Sequence, residues 1–208
     1  MKQFKTNQEA FWAGEFGDNY IIRNSKKNIP TPPINFFSNV FRHTNNINSV
    51  IELGSNIGLN LHAIKTLLPK VELSAVEINK KAVEELRKIT GLKVYHSSIF
   101  DFIPDYSRDF VFTKGVLIHL NPECLGSVYE LMHILTKKYM CVAEYYNPTP
   151  IEVPYHGYKK KLFKRDFAGD LLDKYGDLEL IDYGFTYHRD KYFPERDDLN
   201  WFLLKKAE

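Results

Sequence analysis

The stretch VIELGSNIGLN, Val50 to Asn60, sets two glycines between a short apolar run and an amphipathic one, with a carboxylate, Glu52, two residues ahead of the first glycine. Gly54 permits a tight turn, and Gly58 permits a close approach of helix, strand or ligand. A helix that starts here leaves backbone N–H groups facing whatever binds beyond the strand end. A second carboxylate, Glu77, closes the next apolar run, a little past the ~20-residue offset at which an acidic side chain receives ribose hydroxyls. Both features also have plain structural readings, as a strand-to-helix turn and a solvated strand end. Ile78 and a helix opening at Asn79 favour a ligand, because an apolar side chain there can cover a planar base. The register is wrong for the Gly-x-Gly-x-x-Gly dinucleotide loop, whose third glycine would be Leu59. Asn56 stands at the middle position, and asparagine is among the non-glycine residues that tolerate a left-handed backbone.

These residues need a scaffold that delivers strand ends to one side of a sheet. Strands are expected at Val50–Leu53, Leu73–Glu77, Leu92–Ser97, Phe110–Lys114 and Tyr139–Tyr145, with helices at Ile57–Leu68, Lys80–Thr90 and Pro122–Thr136. Such alternation implies right-handed crossovers and a parallel sheet covered on both faces. Asn147–Pro154, with three prolines, reads as a loop, Phe163–Tyr175 as a helix, and Leu178–Tyr187 with Leu199–Lys205 as a closing antiparallel edge. Upstream, Phe11, Trp12 and Phe16 recur at helical spacing, and Gly17, Asp18 and Asn24 punctuate the stretch after them. Thr31 and Pro32 read as the cap and first turn of a helix through Phe36, Phe37, Val40 and Phe41 that ends near Asn45 and Asn46. The expected organisation is an N-terminal helical lid over 1–46 and one α/β domain over 47–208.

Lys and Arg number 28 against 26 Asp and Glu, a net charge of +2, which does not mark a nucleic-acid binder. No run approaches the ~18 apolar residues of a spanning helix, and MKQFKTNQEA has no apolar leader core. Cys124 and Cys141 form neither a CxxC pair nor a disulfide framework. No His, Cys and carboxylate cluster shows metal-ligand spacing. The expectation is a cytoplasmic protein without metal, membrane or nucleic acid.

In order and spacing, VIELGSNIGLN, AVEINKKAVEELR and DFVFTKGVLIHLNPE resemble the first, second and fourth motifs of the class I S-adenosylmethionine-dependent methyltransferases. That family's loop reads acidic-x-Gly-x-Gly-x-Gly; Glu52, Gly54 and Gly58 fall on it and Asn56 replaces the middle glycine. The resemblance implies a doubly wound, seven-stranded, mostly parallel Rossmann-like sheet, with S-adenosylmethionine as methyl donor and S-adenosylhomocysteine as product. More narrowly, FWAGEFGDNYIIRN (Phe11 to Asn24), AEYYNPTPIEVPYHG (Ala143 to Gly157) and LFKRDFAGDLL (Leu162 to Leu172) resemble the methylases associated with pseudaminic acid biosynthesis. That implies a sugar or sugar-nucleotide acceptor of bacterial surface glycans. Carried onto matching positions, the family pattern gives Glu52 a role near the methionine amino group, through the loop or water, while Gly54, Ser55, Asn56 and Gly58 shape the methionine and ribose site. Glu77 then binds ribose and Ile78 packs on adenine. The family commonly has an acidic residue after the third strand for the adenine amino group. Here the segment is Ser97, Ser98, Ile99, which leaves that contact to Ser98 or to a backbone N–H at Ile99. Tyr20, Arg23 and Lys114 are assigned to the donor site, where Arg23 either clamps the methionine carboxylate or braces the lid as a surface residue.

Methyl transfer is an in-line displacement at a sulfonium, so positioning dominates, and a general base assists a hydroxyl or ammonium acceptor. His119, past the end of strand four, is the base candidate because a neutral imidazole accepts a proton at working pH. A histidine in VLIHL serves equally as a helix-start residue packed under the loop. Tyr145, assigned to the catalytic face with His119, and Tyr146 read either as lining an acceptor pocket or as core and interface aromatics. Lys159, Lys160, Lys161, Lys164 and Arg165 either draw in an anionic acceptor or form a solvated face, and His156 and Tyr158 share that choice. Besides a methyltransferase of a sugar or other small molecule, two classes stay open: a dinucleotide-dependent oxidoreductase, and a non-catalytic S-adenosylmethionine-binding module. Nucleic-acid methylation is opposed by the balanced charge and by the lack of an Asn/Asp-Pro-Pro-Tyr pocket at strand four.

Overall fold

The computed structural model describes residues 4–25, 32–192 and 197–207; Thr31, expected as a helix cap, lies outside them. Three helices come first, α1 (Asn7–Ala13), α2 (Glu15–Ser25) and α3 (Pro32–Phe41). The alternating part comes next as β1 (Ser49–Leu53), α4 (Leu59–Leu67), β2 (Glu72–Glu77), α5 (Lys80–Leu86), β3 (Leu92–His96), β4 (Arg108–Lys114), α6 (Leu125–Leu135) and β5 (Thr136–Glu144). The chain closes with the short strands β6 (Ile151–Glu152) and β7 (Phe163–Lys164), then α7 (Phe167–Lys174), β8 (Leu178–Phe185) and β9 (Asn200–Lys206).

The described residues form a seven-stranded sheet in the order β3-β2-β1-β4-β5-β9-β8. Strands β1 to β5 run parallel, and β9 lies antiparallel to both β5 and β8. This is the doubly wound, mostly parallel architecture expected, including its antiparallel edge. The order reverses between β1 and β4, and open α/β sheets bind ligands at that switch, outside the strand C-termini.

Period-2 alternation sorts the core into two layers. Val50, Phe110, Phe112 and Cys141 face the layer of α3 and α4, while Ile51, Leu53, Val111 and Met140 face the layer of α6 and α7. Within the first 46 residues the helices serve two purposes. Helix α3 belongs to the core: Phe37 is fully buried, with its ring 5.2 Å from that of Phe112, and truncation of such a side chain costs ~3–5 kcal/mol. Helices α1 and α2 lie instead over the C-terminal side of the sheet, where Asn79 donates to the Trp12 carbonyl (3.1 Å) and to Asp18 (2.9 Å).

Three local readings need correction. Gly17 and Asp18 do not interrupt the N-terminal segment but lie inside α2. A Cβ on Gly17 would collide with the Trp12 carbonyl and come within 2.9 Å of Asn79 Nδ2, so this glycine permits close approach rather than a turn. Residues 147–154 are not all loop, since Ile151 and Glu152 pair with Lys164 and Phe163 in an antiparallel hairpin. That hairpin delays the expected helix at Phe163 until Phe167, where Asp166 caps it by accepting the Gly169 N–H at 2.7 Å.

Candidate active site

A cavity of about 510 Å³ opens beyond the C-terminal ends of β1, β2, β4 and β5, a size ordinary for a small-molecule or cofactor site. Its floor is the loop after β1. Gly54 and Asn56 both adopt left-handed backbones, with φ of 81° and 47°, as the reading of Asn56 as a tolerated glycine substitute requires. The Gly54 N–H donates to the Val76 carbonyl at 2.8 Å, and the Ser55 hydroxyl donates to the Glu52 carbonyl at 3.1 Å. A Cβ on Gly54 would stand 2.7 Å from a Val116 methyl. Gly58 is not on the cavity wall. It caps α4, and a Cβ there would meet Ile89 at 2.7 Å and Leu86 at 2.9 Å, so it serves the packing of α4 on α5.

Both expected carboxylates are buried on the cavity wall. Glu77, 8% exposed, accepts the Asn56 N–H on one oxygen and the Asn79 N–H on the other, each at 2.7 Å. Burial raises its pKa against the pull of those N–H groups, and each carboxylate oxygen retains acceptor capacity for a ligand hydroxyl. Glu52 is 1% exposed, and its Oε1 accepts from Asn60 Nδ2 at 2.6 Å. Its Oε2 has no hydrogen-bond partner among the described residues. Burial pushes this carboxyl up to about 8, opposed by Asn60 and then by Lys114. A buried, unsatisfied carboxylate oxygen is costly, and Glu52 is among the residues that line the cavity.

Ile78, Ser98 and Ile99 line the neighbouring wall. The acidic group absent from Ser97–Ile99 arrives from α1, where the Glu9 carboxylate accepts from the Ser98 hydroxyl. Glu9 is 5% exposed, and its other oxygen accepts the Thr6 N–H at 2.8 Å in a capping box. The pattern Thr6-x-x-Glu9 signals a helix start but carries no hint of a cavity, which is why sequence reasoning missed it.

His119 ends the 3₁₀ turn Leu117–His119. Its ring packs in a triangle with those of Trp12 and Tyr155, both 4.7 Å from it and 6.4 Å from each other, and its Nδ1 is 2.7 Å from the Lys161 carbonyl oxygen. A carbonyl only accepts, so Nδ1 carries the hydrogen and Nε2 holds the lone pair. Burial pushes the imidazole down to about 4, which keeps it neutral at neutral pH. Tyr145 donates its hydroxyl to Asp197 at 2.7 Å, and burial raises the phenol. Asp197 and Leu199, from the β8–β9 connection, line the cavity with Trp12, Tyr155 and His156. Among these only His156 was singled out as a candidate; the helical spacing of Trp12 points to a helix and not to a site, and the others carry no spacing signal.

Tyr20, Arg23 and Lys114 also line the cavity. The exposed Arg23 guanidinium lies 5.2 Å from the Phe16 ring centroid and 5.4 Å from that of Tyr20, and Lys114 Nζ lies 5.1 Å from that of Phe36. Tyr146 does not line the cavity and packs near Phe202. The basic run divides. Lys161 donates to the Asn7 carbonyl at 2.9 Å, Arg165 pairs with Asp170 at 2.7 Å and Lys164 sits over the Tyr145 ring, while Lys159 and Lys160 are exposed. Among the described residues, no three His, Cys, Asp or Glu side chains cluster to hold a metal, and no helix is long and apolar enough to cross a membrane.

No protein-family model matches the sequence. THO complex subunit 2 of Saccharomyces cerevisiae is 33% identical over 132 residues, 64% of this chain, and the chain spans 7% of that protein's length. The fold matches solved structures closely. The 1,6-didemethyltoxoflavin-N1-methyltransferase of Burkholderia thailandensis, bound to its substrate and S-adenosylhomocysteine, has a TM-score of 0.69 at 11% identity, covering 96% of this chain and 87% of that one. Magnesium protoporphyrin IX methyltransferase of Synechocystis, with bound S-adenosylmethionine, has a TM-score of 0.67 at 11% identity, covering 99% and 100%. The N-methyltransferase NodS of Bradyrhizobium japonicum has a TM-score of 0.61 at 10% identity, covering 92% and 99%. The chain therefore has the Rossmann-like methyltransferase fold.

Proposed function

We propose that the chain is a cytoplasmic S-adenosylmethionine-dependent methyltransferase of a small molecule, with α1 and α2 acting as the lid of its site. The observation that carries this reading is the pair of buried carboxyls, Glu52 and Glu77, among the residues that line a cavity at the sheet's switch point. Glu52, whose Oε2 has no partner among the described residues, suits the methionine ammonium of the donor, and Glu77 suits the ribose hydroxyls. Ile78 and Ile99 supply apolar faces for adenine. Glu9, held by Ser98, supplies the carboxylate for its amino group. Gly54, Ser55 and Asn56 shape the floor, and Lys114, Tyr20 and Arg23, which line the same cavity, supply cations and a donor suited to the methionine carboxylate. When bound, S-adenosylmethionine supplies an electrophilic methyl on a sulfonium. His119 Nε2 is the proton acceptor. A base this weak takes a proton only late, after bond formation has acidified the attacking oxygen or nitrogen, and Tyr145 orients the acceptor from its bond to Asp197. The dinucleotide reading is disfavoured by Leu59 at the third glycine position.

The acceptor we propose is a sugar or sugar nucleotide of surface-glycan biosynthesis, of the pseudaminic acid type. Support comes from the sequence resemblance and from a chamber of Trp12, Tyr145 and Tyr155 faces around polar groups, which suits a hydroxylated ring. Calorimetry tests the donor: S-adenosylhomocysteine should bind and NAD should not, and the reverse overturns the reading. Incubation with labelled donor and glycan precursors, then mass spectrometry, tests the acceptor. Label confined to molecules that are not sugars would refute the sugar assignment alone.

A further inference from the structure

We propose that Glu144 is a positioning residue that sets the orientation and tautomer of His119; this rests on the reading of His119 as the proton acceptor. Glu144 ends β5 and is 2% exposed. Its Oε1 accepts the Val116 and Leu117 N–H groups at 3.1 Å each, and its Oε2 accepts the Ile118 N–H at 3.3 Å. These are the consecutive amides that enter the turn Leu117–His119. The first N–H groups of any helical turn lack internal partners, and a polar side chain at the cap normally takes them. Here the cap residue is Val116, which has no side-chain cap bond, so Glu144 caps the turn from the neighbouring strand.

The turn's last residue is His119, whose Nδ1 reaches the Lys161 carbonyl. One end of the turn is therefore pinned by Glu144 and the other by the imidazole. A residue that only filled space would not need a buried carboxylate, which is costly without partners. With Glu144 removed, three N–H groups, those of Leu117 and Ile118 buried, lose their acceptor, the turn relaxes, and the ring loses its fixed distance to Lys161.

The test is long-range ¹H–¹⁵N NMR of the His119 ring in the full chain, with S-adenosylhomocysteine affinity measured alongside. The wild-type ring should show Nδ1–H and unprotonated Nε2. In Glu144→Gln it should show mixed tautomers. Methyl transfer should fall about 10- to 100-fold while S-adenosylhomocysteine affinity is unchanged. An unaltered His119 signature in a folded Glu144→Gln protein overturns the proposal. Should that variant fail to fold, amide exchange in the wild type decides: rapid exchange at Val116, Leu117 and Ile118 overturns it, and slow exchange supports it. Loss of S-adenosylhomocysteine binding in the wild type would instead refute the donor reading and leave the ring result to stand.

Discussion

The two halves of the cavity are built differently. The half proposed for the donor is held mostly by bonds between near segments of the chain: Glu77 meets Asn79 two residues on, Glu52 meets Asn60 eight residues on, and Asn56 meets Glu77 across 21. The acceptor half is made by distant segments, with His119 meeting Lys161 across 42 residues and Tyr145 meeting Asp197 across 52. Helix α1 bridges the halves, placing Glu9 against Ser98 on one side and Trp12 against His119 on the other. A site of this kind can keep its donor chemistry while its acceptor pocket is rebuilt from loops, so damage to the two halves should separate.

The largest effect should come from Gly54→Val. Its backbone φ of 81° is strained for a β-branched residue, and its Cβ would stand 2.7 Å from a Val116 methyl. Calorimetry should detect no S-adenosylhomocysteine binding, and micromolar affinity in this variant would refute the loop assignment. Next comes His119→Ala. Methyl transfer should fall about 10²- to 10⁴-fold, with donor affinity unchanged. If both quantities fall together, the halves are not separable and the comparison fails.

The same contrast explains what was legible in the sequence. Short continuous apolar runs between helical-period segments announced β1 to β5 and their helices, because strands covered on both faces, such as β1 and β4, are buried along nearly their whole length. The two-residue strands β6 and β7 are too short to show a period, and Gly17 looks identical in sequence whether it ends a helix or admits a neighbour. In the site, Glu52, Gly54, Asn56 and Glu77 were readable because one loop and two strand ends hold them in fixed register. Glu9, Trp12, Tyr155 and Asp197 join only through tertiary packing, which leaves no spacing to read. His119 and Tyr145 were reached because they sit just past strand ends, whereas Tyr146, one residue on, packs away from the cavity.

Glu9 tests the bridge. Glu9→Gln keeps the helix nearly isosteric but removes a charged acceptor, worth ~1.5–3 kcal/mol. S-adenosylhomocysteine should bind about tenfold or more weakly, and its preference over the analogue with oxygen in place of the adenine amino group should shrink. An equal loss for both nucleosides would move Glu9 from base recognition to lid packing.

A pH series sharpens the donor half further. The Glu52 carboxyl is pushed up to about 8 by burial, so in the ligand-free protein it is protonated at neutral pH. An ammonium group favours the ionised form, so S-adenosylhomocysteine affinity should rise with pH up to about 8, by at most about tenfold per unit. Binding below that pH should release a proton, visible as buffer-dependent heat. The folded pKa lies above the ordinary value of 4.5, so the stability contributed by neutral Glu52 is fully present below 4.5 and is lost as pH rises through about 8. Glu52→Gln should therefore weaken binding, flatten its pH dependence and raise the melting temperature above pH 8 by a few degrees, about 2–4 °C per kcal/mol in a chain of this size.

The smallest effect should come from Lys159→Ala with Lys160→Ala, on the acceptor side. Steering by exposed charge acts on association and is screened within ~8 Å at physiological salt. The run's other cations are already engaged, Lys161 with the Asn7 carbonyl and Arg165 with Asp170. Two exposed lysines then leave little attraction for an anionic acceptor, and turnover should change less than about twofold at physiological salt. Arg23 is different, since it lines the cavity itself. If Arg23→Ala raises the acceptor KM while donor affinity holds, an acceptor anion rests on that guanidinium; if donor affinity falls instead, Arg23 belongs with Glu52 to the donor half.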